Sequence, residues 1–188
     1  MTEESGNSGE PAIERRDFAR ESIILQVCLG IFIADQITKA IVVHHFENPN
    51  DSTVRVVVIQ GFLDFIHRTN SGAAFSILQG KNNMLAVISF VAMGGLIWFR
   101  HHFDNGTRMS KVALGLLLGG ILGNLVDRVF RDSVVDFVRV YIERRGGSVL
   151  EWPAFNIADA AICAGVACLF VIAWQEEREY EAAAREEE

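Results

Sequence analysis

Apolar residues gather along the chain in four long runs, residues 23–43, 84–99, 112–126 and 157–174, separated by stretches rich in polar and charged side chains. A helix buried in a water-soluble protein keeps a polar face at 3.6-residue spacing. Runs 112–126 and 157–174 have almost none, so all four read as membrane-crossing helices. Two of them fall short of the ~20 residues that span a ~30 Å hydrocarbon core. Flanking residues such as Asn82, Asn83 and Phe130 are therefore expected to continue those helices. Between the first two runs, residues 54–59 form a mainly β-branched run closed by Gly61, and residues 63–66 mix apolar and polar side chains before Asn70. That pattern predicts a small sheet at the membrane surface. The expected fold is mainly α and integral to the membrane: four transmembrane helices, with a small extracytoplasmic β-sheet and loop between helices 1 and 2.

The ends are polar. Residues 1–21, with Gly6, Gly9 and Pro11, predict a disordered cytoplasmic tail; residues 22–175 form the membrane domain; residues 176–188, rich in Glu and Ala, predict an acidic, solvated helical tail. The first run is too long for a cleavable signal peptide and carries Asp35, Gln36 and Lys39 where small residues would be needed. Arg15, Arg16 and Arg20, and then Arg100, Arg108 and Lys111, mark their segments as cytoplasmic, which puts both termini inside. Arg128, Arg131, Arg139, Arg144 and Arg145 break the trend, because they fall on the side expected to be outside. Either the charge rule fails there or those arginines have other work.

Composition narrows the classes. At 188 residues, half of them hydrophobic, the chain suits one domain, and much of its net charge of -7 comes from tail glutamates. No basic stripe interleaved with aromatics suggests nucleic acid. Cys28, Cys163 and Cys168 lie in apolar runs without metal-ligand or disulfide spacing. His44, His45, His101 and His102 come as edge pairs and His67 stands alone, so neither a metal nor another cofactor is expected.

Ionisable groups at bilayer depth are costly and usually mark function. Asp35 and Lys39, four apart, share a helix face and suit an intrahelical ion pair in a supporting role. Gly119 and Gly123 make a small-xxx-small pattern that admits a neighbouring helix, and Asn124, Asp127 and Arg128 follow on the same helix. Asp136 lies between apolar neighbours. Asp159 stands one turn into the fourth helix, three residues after Asn156, a spacing that also suits a capped helix start. Capping and catalysis are compatible. If Asp136 and Asp159 face each other, repulsion makes them share a proton, so one acts as base and the other as acid towards a water molecule attacking a peptide carbonyl.

Five ordered motifs, Asp35-Gln36 through Lys39, Asn70-Ser71-Gly72-Ala73-Ala74-Phe75, Gly123-Asn124 through Asp127-Arg128, Val135-Asp136-Phe137 and Phe155-Asn156 through Asp159, resemble those of the lipoprotein signal peptidase family, also called signal peptidase II. The resemblance covers residues 23–174. It implies that Asp136 and Asp159 are the catalytic dyad of an aspartic endopeptidase. It further implies that Asn70, Gly72, Asn124, Arg128 and Asn156 line the substrate site, with Asp35, Lys39 and Asp127 supporting it. The implied substrate is a diacylglyceryl-modified prolipoprotein, cut before its lipidated cysteine by a monomer in the bacterial cytoplasmic (inner) membrane, near the outer face and among membrane lipids. Two positions depart from the family pattern: Asp132 replaces a usual Gly, and residues 141–151 form a longer segment, read as a surface loop. The rival from another class is a small proton-coupled transporter or channel, since intramembrane acids also line ion paths. Both acids near one membrane face and the lack of an inverted repeat argue against it.

Overall fold

The computed structural model describes residues 12–46, 48–51, 53–72 and 80–186. In chain order these form α1 (Ala12–His45), β1 (Val56–Ile59), β2 (Leu63–Asn70), α2 (Asn82–Trp98), the single turn α3 (Arg100–Phe103), α4 (Arg108–Arg131), β3 (Val134–Glu143), β4 (Val149–Glu151) and α5 (Ile157–Glu186). Residues 1–11 lie outside the description. The segment 12–21, expected to be disordered, continues the backbone of α1, and α5 runs on through the expected tail to Glu186.

Helix α4 is the centre of the bundle, and its glycines explain why. A Cβ on Gly119 would stand 2.6 Å from the carbonyl oxygen of Cys28 on α1, and one on Gly120 would stand 2.5 Å from that of Ala158 on α5. Backbone-to-backbone approach this close is open only to residues without side chains. Gly115 meets α1 in the same way, and Gly165 of α5 returns the contact against Leu117 and Ala113. The small-xxx-small pattern at Gly119 and Gly123 therefore serves two neighbours.

The outer faces are apolar. Leu25, Leu29, Ile33, Ile37 and Ile41 form a stripe at four-residue spacing on α1, each at least 45% exposed, and Val87, Phe90, Val91, Val166 and Phe170 are likewise exposed. So much uncovered apolar surface suits lipid, not water. Among the described residues three helices are long and apolar enough to cross a membrane: Ser22–His45 within α1, then α4 and α5. Helix α2 has 17 residues, a rise of about 25 Å at 1.5 Å each, and is shorter than a full span. Asn82 and Asn83 do extend it, as Phe130 extends α4.

The sheet is larger than the sequence suggested. Strands β1 and β2 arise where the pattern between the first two runs placed them, but β3 and β4 join them from between α4 and α5 in the antiparallel order β1-β2-β3-β4. Residues 141–151, expected as a loop, are a hairpin in which Ile142 pairs with Leu150. Asp132 takes the left-handed conformation (φ 57°) that ends α4 and turns the chain into β3. Aspartate tolerates this geometry, which is why it can fill a position suited to Gly. Val135 and Phe137 of β3 pack with Val42 and Phe46 at the end of α1, seating the sheet on the bundle.

Candidate active site

Asp136 and Asp159 open onto one cleft of about 890 Å³, walled by Asn70, Gly72 and Arg128 on one side and by residues 151–155 on another. Each carboxylate arrives by a different route. Asp136 is set by the β2–β3 register, where it stands opposite Arg68 just beyond an irregularity between Phe65 and Arg68. A bulge of this kind re-aims side chains beside it. Asp159 is set by the start of α5: its main-chain N–H donates to Asn156 Oδ1 (2.9 Å), and Asn156 N–H donates back to Asp159 Oδ2 (3.2 Å). This is a reciprocal cap, so the capping expected from the Asn-x-x-Asp spacing is present along with the cleft position.

Asn156 ties the two acids together. Its Nδ2 donates to Asp136 Oδ1 at 2.9 Å while its backbone holds Asp159, and the residue is fully buried. Asn70 Nδ2 donates to Asp136 Oδ2 (3.0 Å) and Asn124 Nδ2 to Asp159 Oδ1 (2.7 Å), so both oxygens of each acid have donors. Asn70 Oδ1 accepts from Gly72 N–H at 2.9 Å, which fixes the amide's orientation. Residues 73–75, the remainder of that motif, lie outside the described residues. Burial first, and the neighbouring Asp159 second, push the Asp136 carboxyl up to about 7, against the pull of its amide donors and Lys39. Asp132 is exposed and is not among the causes of that rise.

Beneath the acids lies a buried ionic network. Lys39 Nζ reaches Asp35 Oδ2 (2.8 Å), Asp127 Oδ2 (2.9 Å) and Asn124 Oδ1 (2.9 Å), with the Lys and both Asp side chains fully buried. Asp35 and Lys39 do form the expected four-residue pair. They sit fully buried at the core of the helix junction. Asp35 Oδ1 accepts from Ala158 N–H (2.9 Å) and Asp127 Oδ2 from Val135 N–H (3.2 Å), so the network anchors the start of α5 and the start of β3 at once. A Cβ on Gly123 would stand 2.6 Å from Asp35 Oδ2, so this glycine makes room for the network.

The arginines that broke the charge trend, taken with Arg68 of β2, divide into three groups. Arg131 pairs with Asp127, Arg139 with buried Asp64 (3.4 Å) and with Glu151 (2.9 Å), and Arg68 with Glu151 (3.2 Å). Arg128 reaches Gly72 O (3.4 Å), while its buried Nε has no hydrogen-bond partner among the described residues. Arg144 and Arg145 remain exposed at the hairpin turn. Sequence reasoning missed Arg68, Glu151 and Asp64, which are joined across the sheet over long separations, Arg68 to Glu151 over 83 residues and Asp64 to Arg139 over 75. It also missed the role of Asn82, whose Nδ2 holds Arg128 O at 2.9 Å. Among the described residues no group of three or more His, Cys, Asp and Glu is placed to hold a metal ion.

Comparison with known proteins adds a family. A profile described as signal peptidase (SPase) II matches residues 27–175. The lipoprotein signal peptidase of Anoxybacillus flavithermus is 37% identical over 79% of this chain and 83% of its own length. That of Halalkalibacterium halodurans is 36% identical over 81% and 92%, and that of Bacillus subtilis 38% over 77% and 88%. A solved bacterial membrane enzyme, determined by the in meso method at 2.3 Å resolution, superposes with a TM-score of 0.69 at 32% identity, covering 82% of this chain and 88% of its own.

Proposed function

The chain belongs to the signal peptidase II family, and from that premise we propose that Asp136 and Asp159 are its catalytic dyad. It is an integral membrane peptidase that acts as a signal peptidase on lipoproteins. The observation that carries the dyad assignment is the Asn156 bridge, which holds two buried carboxylates at one cleft with every oxygen supplied with a donor.

In this reading Asp136, raised to about 7, holds the shared proton and Asp159, at the N-terminal end of α5, is the base. Asp159 takes a proton from water as the water oxygen bonds to the scissile carbonyl carbon. Asp136 donates its hydrogen bond to the developing oxyanion. Proton return from Asp159 to the leaving nitrogen then accompanies cleavage of the C–N bond. Asn70 and Asn156 orient Asp136, Asn124 orients Asp159, and Lys39 fixes Asn124 through its side-chain oxygen. Arg128, which lines the cleft and whose Nε is without a hydrogen-bond partner among the described residues, offers its guanidinium as a donor for a substrate carbonyl.

The substrate is proposed to be a diacylglyceryl-modified prolipoprotein cut before its lipidated cysteine. An opening bounded by membrane helices and by the sheet admits a lipid-bearing peptide sideways from the bilayer. Helix α2 would serve as the fourth span, giving both termini on the cytoplasmic side of the bacterial inner membrane, the cleft near the outer face, and a monomeric enzyme. The transporter reading finds no support in the comparisons. The test is cleavage of a lipidated and an unlipidated prolipoprotein by purified protein, with the product N-terminus read by mass spectrometry. Cleavage confined to the lipidated form and directly before its cysteine is expected; equal cleavage of both forms overturns the substrate assignment.

A further inference from the structure

The β3–β4 hairpin projects from the sheet with an apolar face and a basic tip. Ile142 and Leu150 are direct cross-strand partners and share a face, and both are more than half exposed. Trp152 lies two residues after Leu150 on the same face and is 61% exposed, with its N–H donating to Val140 O (2.9 Å). Arg144 follows Ile142 by two, and Arg145 stands beside it in the turn. That turn is built by Arg144 N–H to Ser148 O (2.8 Å) and by positive φ at Gly146 and Gly147. The other arginines of the sheet, Arg68 and Arg139, are bound to carboxylates, whereas Arg144 and Arg145 are exposed.

We propose that the tip of this hairpin docks on the bilayer surface beside the cleft, with Arg144 and Arg145 on anionic phospholipid headgroups and Ile142 and Leu150 in the interfacial layer. Two features favour a lipid surface over a protein partner. The hairpin is tied at both ends to helices long and apolar enough to span: β3 begins three residues after α4 ends, and α5 begins six residues after β4 ends. The order along the hairpin, apolar strip, aromatic at the base and arginines at the edge, is that of an interfacial segment. A basic residue at an anionic surface contributes about 1 kcal/mol, or about a five-fold preference for that lipid class. Two arginines at one turn should give more. The docked hairpin would hold Glu151 and Trp152, which wall the cleft, at a fixed height above the lipid.

The experiment places p-benzoylphenylalanine at Ser148, in the turn. The full-length protein is reconstituted in nanodiscs of equal phosphatidylcholine and phosphatidylglycerol, and lipid adducts are counted by mass spectrometry after irradiation. Phosphatidylglycerol adducts should exceed phosphatidylcholine adducts about five-fold or more, and the ratio should fall to the disc composition in Arg144→Ala/Arg145→Ala. Peptidase activity of the double variant in detergent, expected unchanged, shows that it is folded. Absence of lipid adducts, or a ratio equal to the disc composition in the unsubstituted hairpin, overturns the proposal. Neither outcome bears on the dyad, so the two readings fail separately.

Discussion

Asp136→Asn should stabilise the protein at alkaline pH and destabilise it at acid pH. The Asp136 carboxyl titrates at about 7 in the folded protein against an ordinary 3.8, and its side chain is 3% exposed. The unfolded chain therefore loses this proton first as pH rises. For a group raised in the folded state, the fold is favoured below 3.8 and progressively penalised up to about 7, beyond which the penalty is constant. A difference of about three units at 1.36 kcal/mol each makes that plateau about 4 kcal/mol. The amide removes the charge but presents one acceptor to two donors, Asn70 and Asn156, a loss of about 1–3 kcal/mol. The variant should thus be more stable than the parent by about 1–3 kcal/mol at pH 8.5 and less stable by a similar amount at pH 3, below the ordinary carboxyl value, where both states of the parent hold the proton. Thermal unfolding in detergent, followed across that range, shows the crossing directly. A difference that does not change sign or does not vary with pH would refute the assignment of a buried, proton-holding Asp136.

Other substitutions probe the parts of the site separately. Gly120→Ala places a Cβ 2.5 Å from the carbonyl oxygen of Ala158, so α5 must shift; overpacking of this kind costs about 1–3 kcal/mol, and a 1 Å displacement of Asp159 about 100-fold in kcat. Melting temperature and kcat should both fall. Lys39→Met leaves buried Asp35 without its cation and Asp127 with Arg131 alone, a loss of about 3–5 kcal/mol readable by denaturation. Asn156→Ala removes a helix cap, about 1 kcal/mol, together with the bridge between the acids, so kcat should fall more than stability does. Asn156→Asp keeps the cap but sets a third carboxylate beside Asp136, so the alkaline limb of the pH–rate profile should move to higher pH.

What was legible in the sequence depended on distance along the chain. The small-residue face at Gly119 and Gly123, the Asp35–Lys39 pair and the Asn156–Asp159 cap are local, and each has the geometry its spacing implied. The hairpin of β3 and β4 was not recognised, although residues 134–142 are rich in β-branched and aromatic side chains that signal a strand. The charges of Asp136 and Arg139 interrupt the apolar run and weaken that signal. Lys39 was legible as a partner for Asp35 but not as the hub that also holds Asp127 and Asn124, because those contacts depend on how α4 packs against α1. Arg139 with Asp64 depends likewise on strand pairing across 75 residues, which no local pattern encodes.

The most direct measurement is a gel-shift cleavage assay in detergent with a diacylglyceryl-modified prolipoprotein. It would compare the parent protein with Asp136→Asn and Asp159→Asn, each folded by its own melting curve and each assayed with a chelator present. An aspartyl dyad predicts cleavage by the parent, undiminished by the chelator, and loss of at least 1,000-fold in both variants, since Asp159 carries both proton transfers and Asp136 supplies the hydrogen bond to the oxyanion. Near-normal cleavage by either folded variant, or loss of parental activity on chelation, would contradict it.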